Sequence, residues 1–250
     1  MEITSVNNEV VKNTVKLQQK KYRNFENKFL LEGYKAIKEA FDAGITIEKI
    51  FVDKNKTEKY DFLKDKIIQT TEPVLKKLST TDSAPEAVAV GIQKIYDINL
   101  LKTAQKVVLL ENIKDLGNLG TILRSAVAFG ADAVVLYGES VDLYNPKCVR
   151  ASVGNLWKIP VFHIKDYNQL QHIFERFNKI ATLPRSKNLL KSFKAELPVL
   201  IMFGSEADGL SEELINFSTD SVKIEMTGSV ESLNLSVSVS VILYELFGAQ

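Results

Sequence analysis

Four polar side chains follow the ends of expected strands in this sequence, Asn118, Glu206, Ser232 and Asn234, and Arg124 stands on the helix that follows Asn118. Two amides, a hydroxyl, a carboxylate and a guanidinium offer donors, acceptors and one fixed positive charge. The single cysteine, Cys148, rules out an internal disulfide and argues against a cysteine-based metal site, and no metal-binding spacing surrounds the two histidines. His163 lies in an apolar strand and reads as structural, and His172 fits the polar face of a helix. Ser232 and Asn234 also suit a helix cap and a turn, so their chemistry depends on what they face. Arg124 follows Asn118 by six residues on an expected helix. At roughly 100° per residue it approaches the Gly117–Gly120 pair only by reaching back toward the helix start.

The elements that position these residues alternate. KVVLLEN is a strand ending at Asn112. A glycine loop, Gly117-Asn118-Leu119-Gly120, then leads into a helix with Ile122, Leu123, Ala126 and Val127 on its stripe, ended by Gly130. AVVLYG, IPVFHI, KIATLP and PVLIMFG follow as strands. Pro146 opens a short helix, DYNQLQHIFERFN forms an amphipathic one, and Ser211 caps another with Glu212 and Glu213 in its first turn. Repeated β-α-β order implies a parallel sheet of about six strands, with ligands at the carboxyl ends of the strands. Asn118, Glu206, Ser232 and Asn234 all follow strand ends, so the topology predicts their convergence.

The last run is ambiguous. VKIEM reads as the end of a buried strand and TGSVE as a loop. Beyond them Leu233, Leu235, Val237, Val239 and Val241 alternate with Ser236, Ser238 and Ser240, the period of a half-buried strand. The same residues place Val237, Val241 and Tyr244 on one helical stripe and Val239, Ile242 and Leu246 on another, with Ser232 as a cap. Helix is the expectation adopted, because serine hydroxyls can bond carbonyls four residues back inside a buried helix.

Residues 1–95 form a smaller α/β unit. KFLLEG, IEKIFVD, KIIQTT and AVAVGIQK are its strands, helices start at Tyr34 and at Glu72-Pro73, and a charged helical stretch lies near Glu58 to Asp65. Residues 96–106 serve as a linker with a helical turn. Composition is ordinary for a globular protein, with 45% hydrophobic and 25% charged residues. No run reaches the length of a membrane span and the first twenty residues lack a signal-peptide core, so a cytoplasmic protein without membrane or metal partners is expected. The net charge of +1 argues against wrapping nucleic acid by bulk electrostatics. Up to Ile95, 17 basic residues meet 14 acidic ones, and the excess gathers in Lys12, Lys16, Lys20, Lys21, Arg23 and Lys28.

GNLGTILRSAVAFG, FGSEADGLS and IEMTGSVESLNLSVSVSV, in that order, resemble the three signature motifs of the SpoU (TrmH) family of RNA 2′-O-methyltransferases. The resemblance is strong from Val107 to Leu246, including PKCVRASVG, and weaker over the first domain, which is similar to the family's ribosomal-protein-like RNA-binding domain. It implies a knotted S-adenosylmethionine-binding domain over 107–250 with a deep trefoil knot, a substrate RNA-binding domain over 1–95, a homodimer, and ribosomal or transfer RNA as substrate. It assigns Asn118, Arg124, Glu206, Ser232 and Asn234 to the catalytic site, with Gly204, Ile224 and Leu233 around the cofactor; glycine at 204 would let the chain approach adenosine closely. Arg124 would stand nearest the loss of the hydroxyl proton. A guanidinium with a pKa above about 12 is better suited to clamp RNA phosphate than to act as a base.

Leu116, Ala207, Glu225, Leu235 and Ser238 depart from the family pattern, which bears on cofactor-loop shape. Two rivals are weighed. A non-catalytic RNA-binding protein would keep both folds but lose a polar motif residue, and none is lost. A nicotinamide oxidoreductase would use the same strand–glycine–helix order, with Glu139 near a ribose-binding position, but needs a G-x-G-x-x-G fingerprint that is absent.

Overall fold

The computed structural model describes residues 1–228 and 232–248 and divides the chain into two units. Met1–Ile95 together with Asp142–Trp157 make the first, and Tyr96–Val141 with Lys158–Gln250 the second.

In the first unit the order is β1 (Glu2–Ile3), α1 (Glu9–Lys16), α2 (Lys20–Glu26), β2 (Lys28–Glu32), α3 (Tyr34–Asp42), β3 (Ile47–Asp53), β4 (Ile67–Thr70), α4 (Glu72–Leu78) and β5 (Ala87–Ile92). They form a five-stranded mixed sheet in the order β1-β4-β3-β5-β2. The charged stretch at 57–66 is a kinked 3-10 segment with only Tyr60 and Leu63 buried. Charges on nearly every other position leave too few apolar side chains to hold a regular helix against the sheet. Gly91 stands opposite Phe29, where an added Cβ would come within 2.6 Å of the ring; the glycine makes room for a buried aromatic.

The sequence alone assigns Asp142–Trp157 to the second domain, yet its packing is with the first. Arg23, 1% exposed, donates through Nε and Nη2 to Asp142 Oδ2 at 2.8 and 2.5 Å and through Nη1 to the Leu17 carbonyl. Phe29 sits 4.9 Å from the Tyr144 ring and 5.2 Å from Trp157. Arg150, on the short helix α6 (Pro146–Ala151), reaches the buried Glu32 carboxylate at 3.2 Å. An apolar cluster and two charge pairs far apart in sequence decide the assignment.

The second unit carries β6 (Lys106–Glu111), α5 (Leu116–Ala128), β7 (Ala133–Tyr137), β8 (Val161–Ile164), α7 (Tyr167–Ile173), β9 (Asn178–Thr182), β10 (Val199–Phe203), α8 (Glu212–Phe217), β11 (Asp220–Val222) and α9 (Leu235–Phe247). The expected six-stranded sheet is present, parallel throughout, in the order β11-β9-β10-β6-β7-β8. Both faces are covered, which is why its strands read as unbroken apolar runs. Val107, Leu109, Val135, Leu200 and Met202 join Leu170, Phe174 and Leu214 in one core cluster. The alternate residues Val108, Leu110, Val134, Ile201 and Phe203 are equally buried outside it. The linker is not free chain: Ile98–Lys102 is a 3-10 turn, and Leu101 and Ala104 are buried in this unit's core.

The last run is helical, as expected. Val239, Ile242, Leu243 and Phe247 are buried, and the serines fit because Ser240 Oγ donates to the Ser236 carbonyl at 2.7 Å and shares a 2.7 Å hydrogen bond with Ser125 on α5. Val237, Val241 and Tyr244 are 47%, 39% and 66% exposed, one stripe at helical spacing. Two local readings need correction. Strand β11 ends at Val222, so the strand read through Met226 stops four residues early, with Lys223 making only an isolated bridge to Leu189. The helix cap is Asn234 rather than Ser232, since Asn234 Oδ1 accepts from the amides of Ser236 and Val237. Residues 229–231 of the expected TGSVE loop lie outside the described residues.

Candidate active site

A cleft of about 790 Å³ lies at the carboxyl ends of β9 and β10, walled by the chain after β11 and by the start of α9. Its lining mixes apolar side chains such as Leu183, Phe203 and Leu210 with the polar Ser205, Glu206 and Asn234. This is the end of an open parallel sheet at which ligands are expected.

The loop after β10 is shaped by its own backbone. Ser205 and Gly209 exchange amide–carbonyl hydrogen bonds at 3.2 and 3.0 Å, and the Asp208 amide donates to Ser205 Oγ at 3.1 Å. Gly209, at φ +69°, takes the left-handed conformation that closes the turn. A Cβ built on Gly204 would fall inside the Gly209 carbonyl and against the Leu210 amide. The crowding that demands glycine at 204 therefore comes from the loop itself, where the sequence suggests close approach of a ligand.

Glu206 sits at the tip of this loop and is exposed. Asn118 Nδ2 donates to its Oε1 at 2.6 Å, across 88 positions of sequence, and Asn234 Nδ2 donates to Asn118 Oδ1 at 3.2 Å. The Asn234 oxygen is taken by the amides it caps, which turns its NH₂ toward Asn118. Three strand-end residues thus form one chain of hydrogen bonds, and each fixes the orientation of the next. Asn118 is placed by a helix that begins earlier than the glycine pattern suggests. Asp115 caps α5, accepting from the Asn118 amide at 2.7 Å, so Gly117 and Gly120 lie inside the helix and not in a loop. Aspartate ahead of the first apolar stripe was a readable cap; the glycines masked it.

Ser232, Gly204, Ile224 and Leu233 all line the cleft. Arg185, from the basic connection after β9, and Met226 line it as well, and no spacing in the sequence singled them out. Arg124 is not in the lining. It is exposed on α5, roughly 9 Å along the helix axis from Asn118, and among the described residues no hydrogen bond or ion pair engages it. Neither histidine enters the cleft, and His163 Nε2 instead pairs with the Gly138 carbonyl at 2.8 Å. Among the described residues no group of three histidine, cysteine, aspartate or glutamate side chains is placed to hold a metal ion, and no helix is long and apolar enough to cross a membrane.

The arrangement can hold a nucleoside-sized ligand. The volume is within the several hundred to about 1,000 Å³ of small-molecule sites, and the lining pairs apolar walls with backbone amides and a few convergent polar groups.

Comparison with known proteins agrees with this geometry. The model of the SpoU rRNA Methylase family matches residues 105–244, and that of an MRM3-like substrate binding domain matches residues 8–89. The chain is 31% identical to an uncharacterized tRNA/rRNA methyltransferase of Synechocystis sp., covering 97% of this chain and 92% of the relative. It is 28% identical to the 23S rRNA (guanosine(2553)-2′-O)-methyltransferase of Bacillus subtilis over 99% of both. The crystal structure of an AdoMet-bound rRNA methyltransferase from Sinorhizobium meliloti superposes with a TM-score of 0.88 at 26% identity, covering 98% of this chain and 96% of that one.

Proposed function

The chain belongs to the SpoU rRNA methylase family, and on that premise we propose that it transfers a methyl group from S-adenosylmethionine to a ribose 2′-hydroxyl of structured RNA, ribosomal or transfer. The observation that carries this reading is the convergence of Asn118 on Glu206 and Asn234, which line a nucleoside-sized cleft. Bound in that cleft, S-adenosylmethionine supplies an electrophilic methyl group on a sulfonium. Gly204, Ile224 and Leu233 are the residues we assign to holding it, and Asn118, Arg124, Glu206, Ser232 and Asn234 to the reaction.

The chain's own work is chiefly positioning. A carbon–oxygen bond forms as the methyl–sulfur bond breaks, and the 2′-hydroxyl gives up its proton, so alignment and exclusion of water supply much of the acceleration. Asn118 and Asn234 fix the Glu206 carboxylate, and Ser232 offers a hydroxyl on the same wall. Arg124 offers a planar, positively charged guanidinium and is assigned to an RNA phosphate, with the proton leaving to that phosphate or to solvent.

A homodimer is part of the proposal. Arg124 projects from α5, which packs against α9, the helix bearing the exposed Val237, Val241 and Tyr244 stripe. A second copy covering that stripe would bury it and bring Arg124 to the partner's cleft, which explains an arginine outside its own cleft. The deep trefoil knot is supported by the placing of β10 between β9 and β6 and by the packing of α9 on α5. Ribosomal and transfer RNA are cytoplasmic substrates, and we assign the enzyme to the cytoplasm.

Purified protein incubated with methyl-labelled S-adenosylmethionine and total RNA from cells lacking the gene is expected to label RNA at a ribose 2′-oxygen, mapped by its resistance to alkaline cleavage. Label confined to a base, or no transfer to any RNA from such cells, would refute the reading.

A further inference from the structure

Phe25 is 84% exposed, the most exposed aromatic ring among the described residues, and it stands in a basic surround. It lies on α2, KKYRNFE, at helical spacing from Lys21 and Tyr22. The Lys16 and Lys21 ammonium groups flank the half-buried Tyr22 ring at 5.9 and 6.0 Å from its centre. Lys20 and Lys21 are exposed, and among the described residues neither is in an ion pair. A second segment adds charge to the same surface: Gln18 Nε2 donates to the carbonyls of Lys77, Leu78 and Ser79, which ties the end of α4 and its exposed Lys77 to the α1–α2 junction.

Packing of the unit does not explain the phenylalanine. The neighbouring Arg23 is wholly buried and pins α2 by its hydrogen bonds to Leu17 and Asp142, so the helix is held rigidly while its outer face presents an aromatic ring to solvent. An exposed aromatic ring one helical turn from Lys21, beside a second ring flanked by Lys16 and Lys21, matches unpaired nucleic acid, in which a base stacks on the ring and neighbouring phosphates meet the ammonium groups. A fully paired helix offers no free base face. A protein partner would have to be acidic and to present an apolar pocket for the ring, and the charge surround favours phosphate.

We propose that Phe25 is a stacking platform for one unpaired base of the substrate RNA, with Lys16, Lys20, Lys21 and Lys77 holding the adjacent phosphates. The proposal deepens the reading of the chain as an RNA methyltransferase and rests on it for the identity of the RNA, but it concerns binding alone and is testable without methyl transfer.

The probes are an RNA hairpin with an open loop, the same sequence closed by its complement into a duplex, and protein-free ribosomal RNA from cells lacking the gene. Phe25→Ala is expected to weaken binding of the hairpin and of ribosomal RNA about tenfold and to leave duplex binding within about twofold of wild type. Phe25→Trp is expected to restore binding. Lys20→Ala with Lys21→Ala is expected to weaken all three probes and to flatten the dependence of log affinity on log salt by about one to two units. Because the side chain is exposed, these variants should keep the thermal midpoint of the parent, and S-adenosylmethionine affinity should be unchanged. Hairpin and ribosomal RNA binding unaffected by Phe25→Ala, or equal losses on hairpin and duplex, would overturn the proposal. Selective loss in a protein that transfers no methyl group would support the platform while refuting the enzymatic reading, and wild-type binding by Phe25→Ala in an active methyltransferase would do the reverse.

Discussion

Gly204→Ala tests the cofactor loop with a single methyl group. The new Cβ would overlap the Gly209 carbonyl and the Leu210 amide, both backbone, so no rotamer change relieves it. The loop must open, which breaks the two Ser205–Gly209 backbone hydrogen bonds and disturbs the Asp208 turn. At about 1 kcal/mol for each backbone bond, with a little for the turn, the closed form loses about 2–3 kcal/mol. If S-adenosylmethionine binds the closed loop, its apparent affinity falls with the closed population, by at most about 30- to 150-fold. Calorimetric titration of purified wild type and variant measures this, with far-ultraviolet circular dichroism confirming that the sheet is intact. Gly91→Ala is the control. Its Cβ would crowd the Phe29 ring in the first unit, so it should lower the thermal midpoint while leaving cofactor affinity alone. S-adenosylmethionine binding to Gly204→Ala within about twofold of wild type would refute the assignment of this loop.

Arg124→Ala should abolish methyl transfer while cofactor binding persists, because the lost contact is to RNA or is made only in the transition state. Mixed one to one with Gly204→Trp chains, it should regain roughly a quarter of wild-type activity if sites are shared between subunits, and no recovery despite proven exchange would place both groups in one chain. Arg23→Ala strands the Asp142 carboxylate, whose side chain is only 10% exposed, and is expected to cost about 3–5 kcal/mol in urea unfolding. Asn234→Ala removes the α9 cap and the link to Asn118, so a loss of about 1 kcal/mol in stability should accompany weaker activity. Burial, then the charge of Asp142, push the Cys148 thiol up to about 12 from an ordinary 9.0. A raised folded value means that the thiol's contribution to stability is whole below about pH 9 and is lost as pH climbs from there toward about 12. Native protein should therefore resist iodoacetamide at neutral pH and react on unfolding, and Cys148→Ala should lose less stability than wild type between about pH 9 and about pH 11.

Much of the second unit was legible as sequence because its rules are local. Parallel strands buried on both faces read as unbroken apolar runs, helix starts carry Asp, Asn or Ser caps, and β-α-β order implies strand ends that share one edge. That order placed Asn118, Glu206 and Asn234 near one another before any coordinate did. The motifs themselves, spaced along Val107 to Leu246, carried the family.

Tertiary structure decided what depends on surfaces meeting. The period of Leu233 to Leu246 fits strand and helix alike, and α9 is a helix because it packs against α5 with its Val239, Ile242 and Leu243 face buried. Which of its two stripes would be buried was not fixed by spacing, since Val237, Val241 and Tyr244 recur with the same helical period as the residues that pack. Asp142–Trp157 left its own sheet's unit because Arg23 and Phe29, more than a hundred positions earlier, offered a charge partner and a ring to pack on. Spacing along a chain records neither distance nor burial across such gaps. The clearest case is Arg124, which the motif groups with Asn118 although only Asn118 bonds to the cleft residues Glu206 and Asn234, because six residues is not a whole number of turns and the two side chains leave α5 in different directions.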